Sequence, residues 1–89
     1  MNTEKILAKM KQNKRNWSMR HLLTVADKFG IPCKNNGSSH YVFTYEGIVE
    51  NLSIPKVHKD IHPDYITKFL RFVNRVLELQ KENNGSVAQ

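Results

Sequence analysis

The side chains able to do chemistry in this chain are few: four histidines (His21, His40, His58 and His62) and one cysteine, Cys33. A lone thiol builds neither an internal disulfide nor a thiolate-based zinc site. His58 and His62 stand four apart with Asp60 and Asp64 nearby, but no thiolate pair or third fixed ligand accompanies them. No metal and no other cofactor is therefore expected. His40 stands out by its surroundings, because Asn36-Gly37-Ser38-Ser39 leads into it and Tyr41-Val42-Phe43 follows. Histidine is the side chain whose ordinary pKa permits both proton acceptance and donation near neutrality. Metal-free cleavage of RNA has that requirement. A base takes the proton of a ribose 2′-hydroxyl, the oxygen attacks the adjacent phosphorus, and an acid protonates the departing 5′-oxygen. Amide or cationic groups then stabilise the phosphorane. Gly37 lets backbone approach a phosphate, and the amides around Ser38 and Ser39 can donate to it. The plainer alternative is a strand histidine that packs or hydrogen-bonds.

One imidazole does not easily act as base and acid together, so a second group is sought in His58 or His62. Both precede or open the last helix, and both also suit a surface or capping role. Lys34, Lys56 and Lys59 flank the strand ends nearest His40 and, with His58, are the candidate substrate contacts. His21 is assigned no role, and Trp17 is read as core.

The charge distribution points the same way. The chain has 89 residues and a formal charge of +6. Residues 1–34 hold eight basic and two acidic side chains, whereas residues 35–89 hold six of each. An excess confined to the first third suits a polyanionic partner, a nucleic acid or an acidic protein, although it also serves solubility. A domain of this size buries only about 60–65% of its unfolded surface, which favours a shallow site on one face over a deep cleft. No segment reaches the ~20 apolar residues of a membrane span. The charged N-terminal segment lacks a secretory apolar stretch, so a cytoplasmic protein without membrane association is expected.

These residues must be held by elements that the pattern makes readable. Thr3 to about Gln12 reads as a helix with Ile6, Leu7 and Met10 on its apolar stripe. A second helix is expected over Ser18–Phe29, stopped by Gly30-Ile31-Pro32. Beyond it the period changes. Residues 31–34 read as a short strand, Asn35 to Ser39 as a loop, and His40–Tyr45 as a strand rich in aromatic and β-branched residues. Glu46-Gly47 reads as a tight turn. Ile48–Ile54 reads as the return strand, with Ile48, Leu52 and Ile54 on one face together with Glu50. A link through residues 56–61 leads to a last helix that begins near His62 or Asp64, with Pro63 in its first turn. Ile66, Phe69, Leu70, Val73, Val76 and Leu77 keep its helical period, and Asn83-Asn84-Gly85-Ser86 is expected to end it. The result is a single α+β domain over residues 1–89, in which 1–15 form an extra N-terminal helix and link and 84–89 a flexible tail. A three-stranded antiparallel sheet carries helices on one face and leaves the other open. This order is that of a double-stranded-RNA-binding domain with a helix added in front. Tyr41, Phe43 and Tyr45 either offer stacking surfaces to bases or fill the core. Strand alternation favours the core, because His40, Val42 and Thr44 then point outward.

The segment Asn36-Gly37-Ser38-Ser39-His40, opening the strand Tyr41-Val42-Phe43, resembles the motif of HicA toxins, in which a Gly-Ser-x-His turn sets a histidine at the start of the second strand. The resemblance extends over residues 17–79: a helix ending at Phe29-Gly30-Ile31, the turn at Gly47, the strand ending Leu52-Ser53-Ile54-Pro55, and a His58-bearing link to a C-terminal helix. Three features depart from the pattern. There is an extra N-terminal helix, Tyr41 and Val42 stand where many members carry a basic residue, and two histidines lie in the link instead of one. The resemblance implies an endoribonuclease (mRNA interferase) with His40 as catalytic residue and mRNA as substrate. It also implies a HicB-type antitoxin that covers the active site. The alternatives are an RNA-binding module of the same fold without chemistry, and a protein-interaction adaptor.

Overall fold

The computed structural model describes residues 3–35, 39–57 and 59–88, with side chains among them from residue 4 to residue 81. The elements run α1 (Thr3–Gln12), α2 (Met19–Lys28), β1 (Cys33–Lys34), β2 (His40–Phe43), β3 (Leu52–Pro55) and α3 (Pro63–Ala88). The class and element order are those read from the sequence, an α+β fold with one three-stranded antiparallel sheet in the order β1-β2-β3.

α1 forms with Glu4 in its first turn and Lys9 and Lys11 in its last, where each charge complements the helix dipole. Ile6, Leu7 and Met10 are buried, and the helix packs chiefly on α2 and α3. α2 starts at the N-cap Ser18, whose backbone N–H donates to His21 Nδ1 at 3.1 Å, the reciprocal arm of a capping box. Its far end is a Schellman closure. The Ile31 amide reaches the Ala26 carbonyl at 2.8 Å, and the Gly30 amide reaches that of Asp27 at 3.2 Å. Gly30 sits at φ +71°, and Ile31 buries the accompanying apolar contact. The stop expected at Gly30-Ile31-Pro32 thus acts through a specific set of bonds.

The strand register fixes which side chains share a face. Cys33 lies opposite Phe43, Phe43 opposite Leu52, and Tyr41 opposite Ile54. These residues point toward the helices. Phe43 and Ile54 are fully buried, while Cys33, Tyr41 and Leu52 are half-buried. An edge-to-face contact of Phe43 with Phe69, centroids 5.5 Å apart, joins the sheet to α3. Ile66, Phe69, Leu70, Phe72, Val73 and Val76 form the buried stripe of α3. The other face carries Lys34, His40, Val42, Ser53 and Pro55, of which Lys34, His40 and Ser53 are exposed. Strand alternation thus assigns Tyr41 and Phe43 to the core side and His40 to the open side.

Element boundaries differ from the sequence reading in three regions. β2 ends at Phe43 and β3 begins only at Leu52, so residues 44–51 form a connection instead of strand. Within it the Ile48 amide donates to the Tyr45 carbonyl at 3.0 Å around Glu46-Gly47, with Gly47 at φ +98°. Had the ladder continued through residue 48, Glu50 would share the covered face with Leu52 and Ile54. Burying that carboxylate without a partner is costly, and leaving the ladder keeps Glu50 exposed. The first strand is confined to Cys33–Lys34, because Ile31 is used by the helix closure. Last, α3 continues through Asn83-Asn84-Gly85 to Ala88. Asn and Gly in a helix cost up to about 1 kcal/mol each but remove no hydrogen bond, and no proline stands there to break the chain's direction.

Candidate active site

His40 is the first residue of β2 and exposed. Its Nδ1 lies 3.1 Å from the Ser39 hydroxyl. Two backbone features hold the strand end. The Lys56 amide donates to the Ser39 carbonyl at 2.6 Å, extending the β2–β3 ladder by one bond beyond the His40–Pro55 pair. The Asn35 side-chain amide donates to the His40 carbonyl at 3.2 Å, tying β2 to the chain leaving β1. His40 is therefore an exposed imidazole on a backbone anchored from both sides, an arrangement that fixes where its ring can present itself.

The register brings Lys34 to the same face, opposite Val42 and hence diagonal to His40, at the about 7–8 Å typical of such pairs. Lys56 follows β3 directly and is exposed at the sheet end beside Ser39. Lys59 is exposed in the link further on. Of the residues named from sequence, Lys34, Ser39, His40 and Lys56 are thus gathered at one end of the sheet. Gly37, Ser38 and His58 lie outside the described residues.

The other two described histidines, His21 and His62, are engaged in capping. His62 precedes Pro63, and its Nδ1 accepts the Asp64 backbone N–H at 3.1 Å. A carboxylate oxygen of Asp64 lies 3.7 Å from that same nitrogen. Since Nδ1 accepts the amide proton, this pair is a capping contact rather than a salt bridge. His21 Nδ1 serves α2 in the same way and stands edge-on to Trp17 at 5.0 Å. The sequence reading gave His21 no role, yet a histidine three residues after a serine cap could have been recognised. Among the described residues, no three His, Cys, Asp or Glu side chains are gathered as a metal would require. Cys33 faces the core, and burial raises its thiol pKa.

The charge is distributed differently from what its sequence position suggests. Lys5, Lys9 and Lys11 are exposed on α1, whose main neighbours are the other two helices rather than the sheet. A second cationic group was not singled out: Lys68, Arg71 and Arg75 all line one groove between α3 and β3. Their i, i+3, i+7 spacing is legible, but the overall balance of residues 35–89 hides it.

Comparison of the chain with protein-family models, with curated proteins and with solved structures returns no match to any of them. No helix among the described residues is long and apolar enough to cross a membrane.

Proposed function

We propose that the chain is a metal-independent endoribonuclease of the HicA toxin type, acting on single-stranded mRNA and neutralised by a HicB-type antitoxin. On this reading the fold is a variant of the double-stranded-RNA-binding domain in which α1 is an addition and the open sheet face receives substrate. The observation that carries it is His40, which opens β2 on the uncovered face with Ser39 at its Nδ1 and Lys34 diagonal to it. His40 takes the proton of a ribose 2′-hydroxyl. The 2′-oxygen bonds to the adjacent phosphorus, the P–O5′ bond breaks, and a second donor returns a proton to the 5′-oxygen. His58 is the candidate for that donor, since His62 is engaged in capping α3. Lys34, Lys56 and Lys59 contact phosphates, Gly37 lets the backbone approach, and the amides around Ser38 and Ser39 stabilise the phosphorane. The products are a 2′,3′-cyclic phosphate and a 5′-hydroxyl.

The test is induced expression in bacteria of wild type and of His40→Ala, following growth and RNA integrity, with the RNA ends identified by mass spectrometry. Growth arrest with cyclic-phosphate ends from wild type alone supports the reading. Equal toxicity, or harmlessness of both at equal expression, removes His40 as catalyst and leaves an RNA-binding module or an adaptor. RNA methylated at the 2′-oxygen is bound but not cut, because the attacking oxygen has lost its proton.

A further inference from the structure

We infer that the groove between β3 and α3 is a binding track for the sugar-phosphate backbone of single-stranded RNA, continuing from the His40 face around the edge of the sheet. The inference rests on the ribonuclease reading for its direction, since it says where the substrate goes after leaving His40.

The groove has a volume of about 400 Å³, within the range of sites that accept one small organic unit. Its inner wall is apolar: Phe72 is buried, and Ile48 and Leu52 are half-buried. Its outer wall is cationic, with Lys68, Arg71 and Arg75 exposed on successive turns of α3. Glu50 is the one carboxylate lining it. Neither Arg71 nor Arg75 forms an ion pair among the described residues, and Lys68 reaches over the Tyr65 ring at 5.4 Å. Cations spaced along an apolar wall suit a strand whose bases are unpaired. The bases cover the apolar wall while the phosphates meet the charges. A duplex hides its bases and has no use for that wall.

Continuity with His40 follows from register. Ser53 lines the groove, is exposed, and lies opposite Val42, which shares the open face with His40 two residues away. Sheet spacings place the Cα atoms of Ser53 and His40 about 8 Å apart. β3 is an edge strand, so nothing of the sheet intervenes between that face and the groove.

The test measures binding of a fluorescein-labelled 20-mer of 2′-O-methyl uridine, inert to 2′-hydroxyl attack, by anisotropy at several salt concentrations. It compares wild type with two triple variants: Lys68→Glu, Arg71→Glu, Arg75→Glu in the groove, and Lys5→Glu, Lys9→Glu, Lys11→Glu on α1. Both reduce the formal charge from +6 to zero, so overall charge does not distinguish them, and circular dichroism verifies that each folds. The groove variant is expected to lose at least about tenfold in affinity at low salt, and its salt slope to fall by about 2, as the loss of three phosphate contacts on a single strand requires. The α1 variant should keep most of its affinity. Equal weakening by both, no weakening by the groove variant, or no binding by wild type overturns the track. So does equal competition by polyglutamate, which would assign the groove to an acidic protein. Because the probe cannot be cut, failure of His40 as catalyst leaves these outcomes readable.

Discussion

At the residue scale, three of the four histidines have described positions, and two of them accept backbone amides at helix starts. Only an unprotonated Nδ1 can accept, so these rings are structural groups, and removing one should cost stability. His21→Ala is expected to destabilise the protein by about 1 kcal/mol, the usual loss of a cap, and to lower Tm by about 4–8 °C in a domain of this size. His40→Ala, at an exposed site, should stay within about 0.5 kcal/mol of wild type. A thermal melt of both variants checks the contrast, and an equal loss at His40 would make it a structural residue. Cys33 gives a second prediction. Burial raises its pKa, so less thiolate is present at neutral pH than for a free cysteine. Alkylation by iodoacetamide at pH 7.5 should be slower than that of a model thiol, speed up as pH rises, and reach the model rate in urea. Full reactivity in the native state would place the thiol in solvent.

At the element scale, local signals that name a bond were legible and signals that only weaken a preference were not. The close of α2 is an example of the first kind, because Gly30 supplies the positive φ and Ile31 the apolar contact of one closure. Nothing lies within 4 Å of a Cβ added at Gly30. Gly30→Ala is thus expected to cost about 1–2 kcal/mol from backbone strain alone, and Gly30→Asn less, since Asn tolerates that region. Urea melts of the two variants check the order. The 48–51 segment is of the second kind. Its alternation looked like strand, but Glu50 on the covered side makes pairing unfavourable, and Val49 is left almost wholly exposed. Asn83-Asn84-Gly85 likewise lowers helix propensity without forbidding helix. The face of β2 was legible because alternation is strict. Phe43→Ala should therefore cost about 3–5 kcal/mol and Val42→Ala much less, a pair that would reverse were the sheet covered on its other side.

At the scale of the whole molecule, the half of the chain that looks neutral by count supplies most of the cations at the ends and edge of the sheet. Lys34 shares the open face with His40, Lys56 follows β3, Lys59 stands in the link, and Lys68, Arg71 and Arg75 line the groove at the sheet edge. Sequence position hid this arrangement, because a charge balance over residues 35–89 cannot separate Glu46 and Glu78 from the arginines that α3 aims at β3. The shared, exposed face of His40 and Lys34 was readable, because strand parity alone assigns it. The groove was not readable, because it exists only once α3 lies along the edge strand. The arrangement makes a quantitative prediction for binding. Contacts from about six cations to single-stranded RNA give a slope of about −4 in log affinity against log salt, so raising salt from 50 to 200 mM should weaken binding about 300-fold. His40→Ala should follow the same line, since an exposed imidazole adds chemistry and little charge. Anisotropy titrations of both proteins with uncleavable RNA measure it. A slope near zero would mean that the cations do not engage phosphate, leaving an adaptor whose partner is a protein. A slope of the expected size for both proteins, with cleavage lost only in His40→Ala, would separate the binding surface from the residue that acts on what is bound there.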